Sequence, residues 1–289
     1  MTKLIRHATL LMICAVPFLG YADIGCAEST DGEKPHTIRI LSYNIHHGAG
    51  TDGKLDLARI AGVIRSASPD IVSLQEVDKK TKRSKGVDQA KELARLTNMK
   101  CVYGASMTFQ GGKYGNAVLT TLTVKESKVI PLPGEPRSAL CVTLKVPHKG
   151  PSTGEILFMA THLDTKHKPR RSSVPLIEKV FESRPTTPAV LAGDLNASPN
   201  SPTMRQFGKT WLNATARKGL FTYPAGNPSV QIDYILYRHL RLCTVLKTQV
   251  LKEAVASDHR PILAVLQFGP EAKEKKDTAS NKPDTGHVK

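Results

Sequence analysis

Aromatic residues, cysteines and long apolar runs are all scarce in this chain, and each shortage removes a class of protein. Phenylalanine, tyrosine and tryptophan make up 5% of the 289 residues, with Trp211 the single tryptophan. With so few aromatics, no aromatic-tipped hairpin of the kind that inserts into a bilayer is visible. The five cysteines show neither a C-x-x-C pair nor a Cys/His zinc spacing, so a disulfide scaffold and a structural zinc site are both excluded. Cys101, Cys141 and Cys243 sit in apolar, strand-like surroundings and read as buried thiols, although an exported chain could also bridge them. The sustained apolar run at residues 8–19 is too short for a membrane span and is interrupted at Pro17. No internal repeat or interdomain linker is visible.

Acidic residues are in deficit as well: 25 Asp and Glu face 41 Lys and Arg, a formal net charge of +16. Residues 1–34 hold three basic and four acidic residues and residues 269–289 hold five and four, so the ends cancel and the core carries the excess. Such a core favours polyanionic partners: nucleic acid, anionic lipid surfaces or phosphorylated small molecules. Two basic clusters stand out, Lys79, Lys80, Lys82, Arg83 and Lys85, then Lys166, His167, Lys168, Arg170 and Arg171. Both are read as loops that make a positive rim.

Lys3 and Arg6 precede the early apolar run, and Gly20-Tyr21-Ala22 closes it. Residues 1–22 are therefore expected to be a signal peptide and the mature chain to be secreted or periplasmic. A lipid anchor at Cys26 is the alternative, though Asp23-Ile24-Gly25 lacks the expected leucine. Residues 23–34 and 269–289 are polar and aperiodic and read as a disordered linker and tail. One domain is expected between them, at 35–268.

What the sequence does have is a set of apolar runs that stop at polar side chains. Residues 189–192 end at Gly193-Asp194-Leu195-Asn196, 37–41 run into Ser42-Tyr43-Asn44-Ile45-His46-His47, 70–74 into Gln75-Glu76, and 156–160 into Thr161-His162-Leu163-Asp164. Gln231-Ile232-Asp233-Tyr234 and Ser257-Asp258-His259-Arg260-Pro261 complete the series. A carboxylate at the end of a buried strand needs a cation or hydrogen-bond donors. Asp194 and Asn196, two apart, face the same way on an extended chain, yet Gly-Asp-x-Asn by itself also makes an Asx turn. Six such strand ends together read as one site, whose oxygen donors suit a hard cation or an attacking water.

In this order the segments YN, QEV, THLD, GDLN and SDHRP resemble the endonuclease/exonuclease/phosphatase superfamily, over nearly all of residues 37–268. The resemblance implies a DNase I-like fold, a four-layered α/β sandwich of two packed mixed β-sheets flanked by helices. It implies a hydrolase of phosphoric ester bonds that uses Mg²⁺, with Mn²⁺ as a substitute. Glu76 becomes the principal metal ligand with Asn44 beside it. His259 is paired with Asp233, which leaves Asp258 for the metal region. Asp194 becomes the general base for in-line water attack, Asn196 holds the phosphate or that water, and His162 donates to a non-bridging oxygen. Arg137 and Asn116 resemble substrate-contacting positions of relatives. His46 stands where abasic-site endonucleases carry Asp, a departure that leans away from DNA repair. The expected substrate contains phosphate, with nucleic acid first and phospholipid headgroups or inositol and sugar phosphates next; a catalytically inactive binding module is the alternative of another class. A monomer with no transmembrane segment in the mature chain is expected.

Periodicity supports this architecture. Apolar spacing predicts helices at 55–66, 88–97 and 174–182 and eleven strands between 37 and 267, paired rather than in strict βαβ alternation.

Overall fold

The computed structural model describes residues 36–146, 154–238 and 243–268. The expected signal peptide, the linker with Cys26, and the C-terminal tail lie outside the described residues.

The apolar runs become strands, and the intervening periodic segments become helices. In chain order these are β1 (His36–Asn44), α1 (Leu57–Ala67), β2 (Ile71–Lys79), α2 (Gln89–Thr97), β3 (Lys100–Phe109), β4 (Gly112–Thr120), β5 (Thr123–Leu132), β6 (Arg137–Lys145), β7 (Glu155–His162), α3 (His167–Glu182), β8 (Ala189–Asp194), α4 (Pro202–Phe207), β9 (Leu212–Asn213), β10 (Asp233–Arg238), β11 (Cys243–Val250) and β12 (Ile262–Phe268). A single 3-10 turn covers His46–Gly48. Helix starts follow their caps: Asp56 accepts from the Arg59 amide ahead of α1, and Asp88 from the Lys91 amide ahead of α2.

Two six-stranded sheets result, ordered β11-β12-β1-β2-β4-β3 and β5-β6-β7-β8-β10-β9. Each has one parallel neighbour pair at its centre, β1 with β2 and β7 with β8, and antiparallel pairs elsewhere. The two windings are the same, a topological repeat that no sequence repeat announces.

Burial shows the layering. One apolar cluster, including Ile38, Ile40, Val118, Leu140 and Phe158, lies between the sheets. A second joins the β1 sheet to α1 and α2 through Tyr43, Ile60, Ile64 and Leu93. A third joins the β7 sheet to α3 and α4 through Met159, Ile177, Phe181 and Phe207. The order is helix, sheet, sheet, helix, the expected four-layered sandwich. Each large side chain so buried contributes about 1.5–3 kcal/mol.

The helix expected at 174–182 starts seven residues earlier, at His167. Residues 167–171, read as a loop for their charge and proline, form its first turn, where proline is tolerated. Arg170 is consequently buried and donates to the carbonyls of Asp164 and Thr165, at 3.1 and 2.8 Å. Cys101, Cys141 and Cys243 are free thiols. Among the described residues no helix is long and apolar enough to cross a membrane.

Candidate active site

Strand register assembles the site. On the parallel pair β7 and β8, His162 stands opposite Asp194, and on the antiparallel pair β8 and β10, Asp194 stands opposite Asp233. Three polar residues far apart in sequence thus form one row across the sheet. On the other sheet Asn44 ends β1 opposite Gln75, next to Glu76. The two rows meet where the Asn44 amide nitrogen donates to Glu76 Oε1 at 3.2 Å and to Asp194 Oδ2 at 3.1 Å.

Glycine at position 193 is required by this packing. A Cβ there would lie 1.9 Å from the Thr161 carbonyl oxygen on β7. The strand ends at Asp194, and the chain then turns: Asn196 takes a left-handed φ of 47° and its N–H donates back to Asp194 Oδ1 at 2.9 Å. The motif is thus an Asx turn through one carboxylate oxygen and a site residue through the other. The Asn196 side chain donates to the Leu163 carbonyl at 3.0 Å.

Glu76 sits at a β-bulge, where the pairing of β2 with β4 slips between Leu74 and Val77, and its φ is 57°. Left-handed backbone at a non-glycine residue costs about 1–3 kcal/mol and is held only where the surroundings impose it. The bulge turns the half-exposed Glu76 carboxylate toward Asn44. His46 and His47 are also left-handed.

Donors converge on Asp194 Oδ2. Besides Asn44, His162 Nε2 lies at 3.4 Å and His259 Nε2 at 3.7 Å. These imidazole contacts are longer than good hydrogen bonds, which leaves the Nε2 side of each ring free to serve a further oxygen. The His162 tautomer follows from its neighbour. Arg137 Nη1, which can only donate, lies 3.0 Å from His162 Nδ1, so Nδ1 accepts and Nε2 carries the hydrogen. Burial, then the charges of Arg137 and His259, hold the His162 pKa well below the usual imidazole value; the ring is neutral. His259 is the opposite case. Burial disfavours its charge, but Asp233, whose Oδ2 lies 3.0 Å from Nδ1, and Asp194 outweigh burial and push the pKa up to about 10. Asp194 is raised to about 7 by burial and by Asp233, against the pull of His259, the Asn196 N–H and the Asn44 amide. The site therefore holds a cationic imidazole and a neutral one on either side of a carboxylate of raised proton affinity.

Two sets of residues can be weighed for a metal. Asp194, Asp233 and His259 have ligand atoms within 4.8 Å of one another, the one such trio of acidic or histidine residues among those described. A protonated His259 has no lone pair to offer, and its Nδ1 is occupied by Asp233, so this trio is a hydrogen-bonded chain before it is a metal cage. Glu76 fits better: it offers carboxylate oxygen and has no ion-pair partner among the described residues, while Asn44 turns its amide nitrogen toward it and keeps Oδ1 on the His46 N–H. Asp258 is half-buried, and its Oδ1 accepts from the Ser257 hydroxyl at 3.3 Å; it has no hydrogen bond to Asn44.

Of the remaining expected residues, Arg137 joins the site through His162 and is braced by Tyr114 OH at 3.0 Å and Glu135 at 3.1 Å. The buried Asn116 donates to the Ser138 carbonyl at 2.8 Å, next to Arg137 in sequence, and does not touch the Asp194 group. His46 Nδ1 lies 3.2 Å from the Ala49 carbonyl, in its own turn, and its N–H donates to Asn44 Oδ1. Asp164 is structural: it accepts from the amides of Glu135 and Lys166 and so fixes the loop that presents Arg137.

Sequence reasoning missed several supports. Ser257 donates to the Asn44 carbonyl at 2.7 Å and ties the SDHRP segment to the end of β1. Thr222 Oγ1 accepts from the Asp233 amide at 3.4 Å. Flanking Thr222, Phe221 and Tyr223 alternate outward, 44% and 37% exposed, with Val230 bridged to Tyr223. The Tyr223 ring lies 4.9 Å from that of His259. Phe221, Tyr223 and Val230 thus make a small exposed apolar patch reaching His259 through Tyr223, too small to register in composition. Of the basic rim, Arg170 is buried, Lys79 pairs with Asp88, and Arg83 folds onto Asp78, while Lys80, Lys82, Lys85, Lys166, Lys168 and Arg171 are exposed.

The Endonuclease/Exonuclease/phosphatase family model matches residues 41–259. Among solved structures, an endonuclease/exonuclease/phosphatase from Beutenbergia cavernae is 24% identical over 81% of this chain and 72% of its own, with a TM-score of 0.64. The mannosyl-6-phosphatase Bt3783 of Bacteroides thetaiotaomicron is 20% identical over 80% and 100%, at 0.65. A humanized D. rerio TDP2 carrying 14 mutations is 18% identical over 80% and 98%, at 0.62. These likenesses establish the fold. The sequence has no match among curated proteins.

Proposed function

From the premise that the chain belongs to the endonuclease/exonuclease/phosphatase family, whose members are phosphoesterases, we propose that it cleaves phosphodiester bonds by metal-assisted attack of water, with nucleic acid as substrate. The observation that carries the reading is the convergence of Asn44, neutral His162 and cationic His259 on one oxygen of a buried Asp194. Three donors of that kind make a cradle for a phosphoryl group, and the carboxylate inside it is placed to accept a proton.

In this reading Asp194 orients a water and takes its proton, helped by a pKa near neutrality. His162 Nε2–H and protonated His259 donate to phosphoryl oxygens as charge builds. Asp233 keeps His259 charged and correctly turned, and Asn196 fixes Asp194 through its amide. Glu76 would hold a divalent cation, taken as Mg²⁺, with Asn44 orienting its carboxylate; when bound, the ion would neutralise phosphate charge and stabilise a leaving oxyanion. Asp258 adds to the negative charge that favours protonated His259. Arg137 locks the His162 tautomer; Asn116 and His46 shape the walls. Export of the mature chain belongs to the same proposal, and the basic core supports a polyanionic substrate.

A phospholipid diester is the second reading, favoured by the exposed Phe221, Tyr223 and Val230 beside His259. The deciding test is hydrolysis of supercoiled plasmid, phospholipid vesicles and sugar phosphates, each with Mg²⁺ and with chelator, using Asp194→Ala and His259→Ala. Metal-dependent nicking lost in both variants supports the nuclease; headgroup release without nicking transfers the protein to the second reading. Inactivity on every substrate removes the enzymatic proposal.

A further inference from the structure

Glu76 also lines a cleft of about 340 Å³, shared with Arg83, Phe109, Tyr114, Glu135 and Arg137. Arg83 comes from the first basic cluster, but it is not a solvated rim residue. Asp78, two residues after Glu76 and wholly buried, takes Arg83 Nε at 2.7 Å and Nη2 at 2.9 Å, and also the Thr81 hydroxyl at 2.7 Å. The guanidinium lies 4.8 Å from the Phe109 ring centre and 5.6 Å from that of Tyr114. Gln110, at the β3–β4 turn, accepts from the Lys82 and Arg83 amides and clamps the loop to the hairpin.

Burying a carboxylate completely is costly, and here it fixes one arginine at the wall of an open cleft. Nη1 is left over: it has no hydrogen-bond partner among the described residues. Across the cleft Arg137 is similarly braced by Glu135 and Tyr114. Two guanidinium groups held rigid on one cleft, Arg83 from a loop that also carries the exposed Lys80, Lys82 and Lys85, offset the Glu76 and Glu135 carboxylates that share it and offer a site for an anion. In-line displacement sends the leaving group away from the attacking water. Asn44 bridges Asp194 to Glu76, which lines the cleft, so a phosphoryl group seated between the two carboxylates would send its leaving group toward that cleft.

We propose that the cleft is a subsite for a second phosphate, carried by the substrate on its leaving-group side and read by Arg83. The inference rests on the phosphoesterase reading above and adds a substrate class to it: esters whose departing alcohol is itself phosphorylated. That phosphate could be the neighbouring one of a nucleic-acid strand or the second one of a small bisphosphate.

The experiment compares kcat/KM for paired substrates with Mg²⁺: a thymidine dinucleotide with a terminal phosphate at its 3′ end, at its 5′ end or at neither, and a hexose 1-phosphate beside its 1,6-bisphosphate. The phosphorylated member of a pair should be preferred by about ten- to hundredfold, the worth of one charge-assisted hydrogen bond. Preference among the dinucleotides assigns the phosphate to a nucleic-acid strand, and preference among the hexoses to a small molecule. Arg83→Ala alone would strand a buried carboxylate, so the variant is Asp78→Asn with Arg83→Gln, checked by its melting curve. The ratio within the preferred pair should collapse toward one in this double variant. Turnover of all substrates with no preference, or a preference that survives the double variant, overturns the inference and leaves the phosphoesterase reading intact. Absence of any turnover takes down both.

Discussion

Replacing Gly193 by alanine should damage stability and activity together. A Cβ at this position would meet the Thr161 carbonyl oxygen at 1.9 Å and its carbonyl carbon at 2.9 Å, whereas comfortable separations are about 3.5–4 Å. Both obstacles are backbone in the middle of a sheet, so no rotamer change relieves them; β7 and β8 must separate by roughly 1 Å or more. Overpacking that side chains can absorb costs about 1–3 kcal/mol, so a purely backbone clash should cost about 3 kcal/mol or more. For a chain of this size that lowers the melting temperature by roughly 6–12 °C. The next register pair along these strands is His162 with Asp194, and a displacement of about 1 Å there should reduce kcat on the order of 10²-fold. Gly62→Ala is the control of opposite sign: it lies inside α1, with Arg65 Nη2 the nearest atom at 3.9 Å, and should stabilise by about 0.4–1 kcal/mol with activity unchanged. Thermal melts and steady-state rates on the same preparations decide the matter. A Gly193→Ala protein that melts within a degree of the parent at full activity would refute the argument from close approach.

Other substitutions separate the roles of the site residues. Asp194→Asn should lower kcat by about 10²–10⁴-fold while raising the melting temperature of the metal-free protein, because it removes a buried carboxylate that burial and Asp233 already disfavour; a lower melting temperature would contradict this electrostatic account. Asp233→Asn concerns pH. His259 stays protonated through about pH 10 because of Asp233 and Asp194, against burial, so the pair's contribution is complete below about 6.5 and is lost as pH rises through about 10. Without Asp233, burial moves the His259 pKa back down. The pH–rate profile of the variant should then fall off at lower pH than that of the parent, and profiles that coincide would remove Asp233 from this role. Glu76→Gln should raise the Mg²⁺ concentration needed for half-maximal activity at least tenfold, measured by metal titration; an unchanged requirement would move the metal to other residues.

Much of this architecture could be read along the chain because most strands alternate or run apolar and α1 and α2 begin at capping aspartates, which are local properties. Asn44, Glu76, His162, Asp194, Asn196, Asp233 and His259 could be singled out because polar groups that end buried strands are conspicuous. The topological repeat could not be seen, because the two sheets share winding and not residues. The start of α3 was hidden since lysine, histidine and proline in a first turn read as loop, and only packing of Arg170 against the β7–α3 connection shows otherwise. Arg83 was equally obscure: within a run of lysines nothing distinguishes the one cation that a buried Asp78 holds.

The sequence by itself determined eleven of the twelve strands, three of the four helices and the kinds of side chain available at the strand ends, because propensity, periodicity and the cost of burying charge act over a few residues; α4 and β9 went unread. Only the tertiary structure decided how those side chains meet. Which imidazole is charged and which is neutral depends on Asp233 facing His259 and Arg137 facing His162, contacts made across 26 and 25 residues of chain. Electrostatic energy falls with distance through space and takes no account of separation along the chain; strand register and the stacking of the two sheets set those distances.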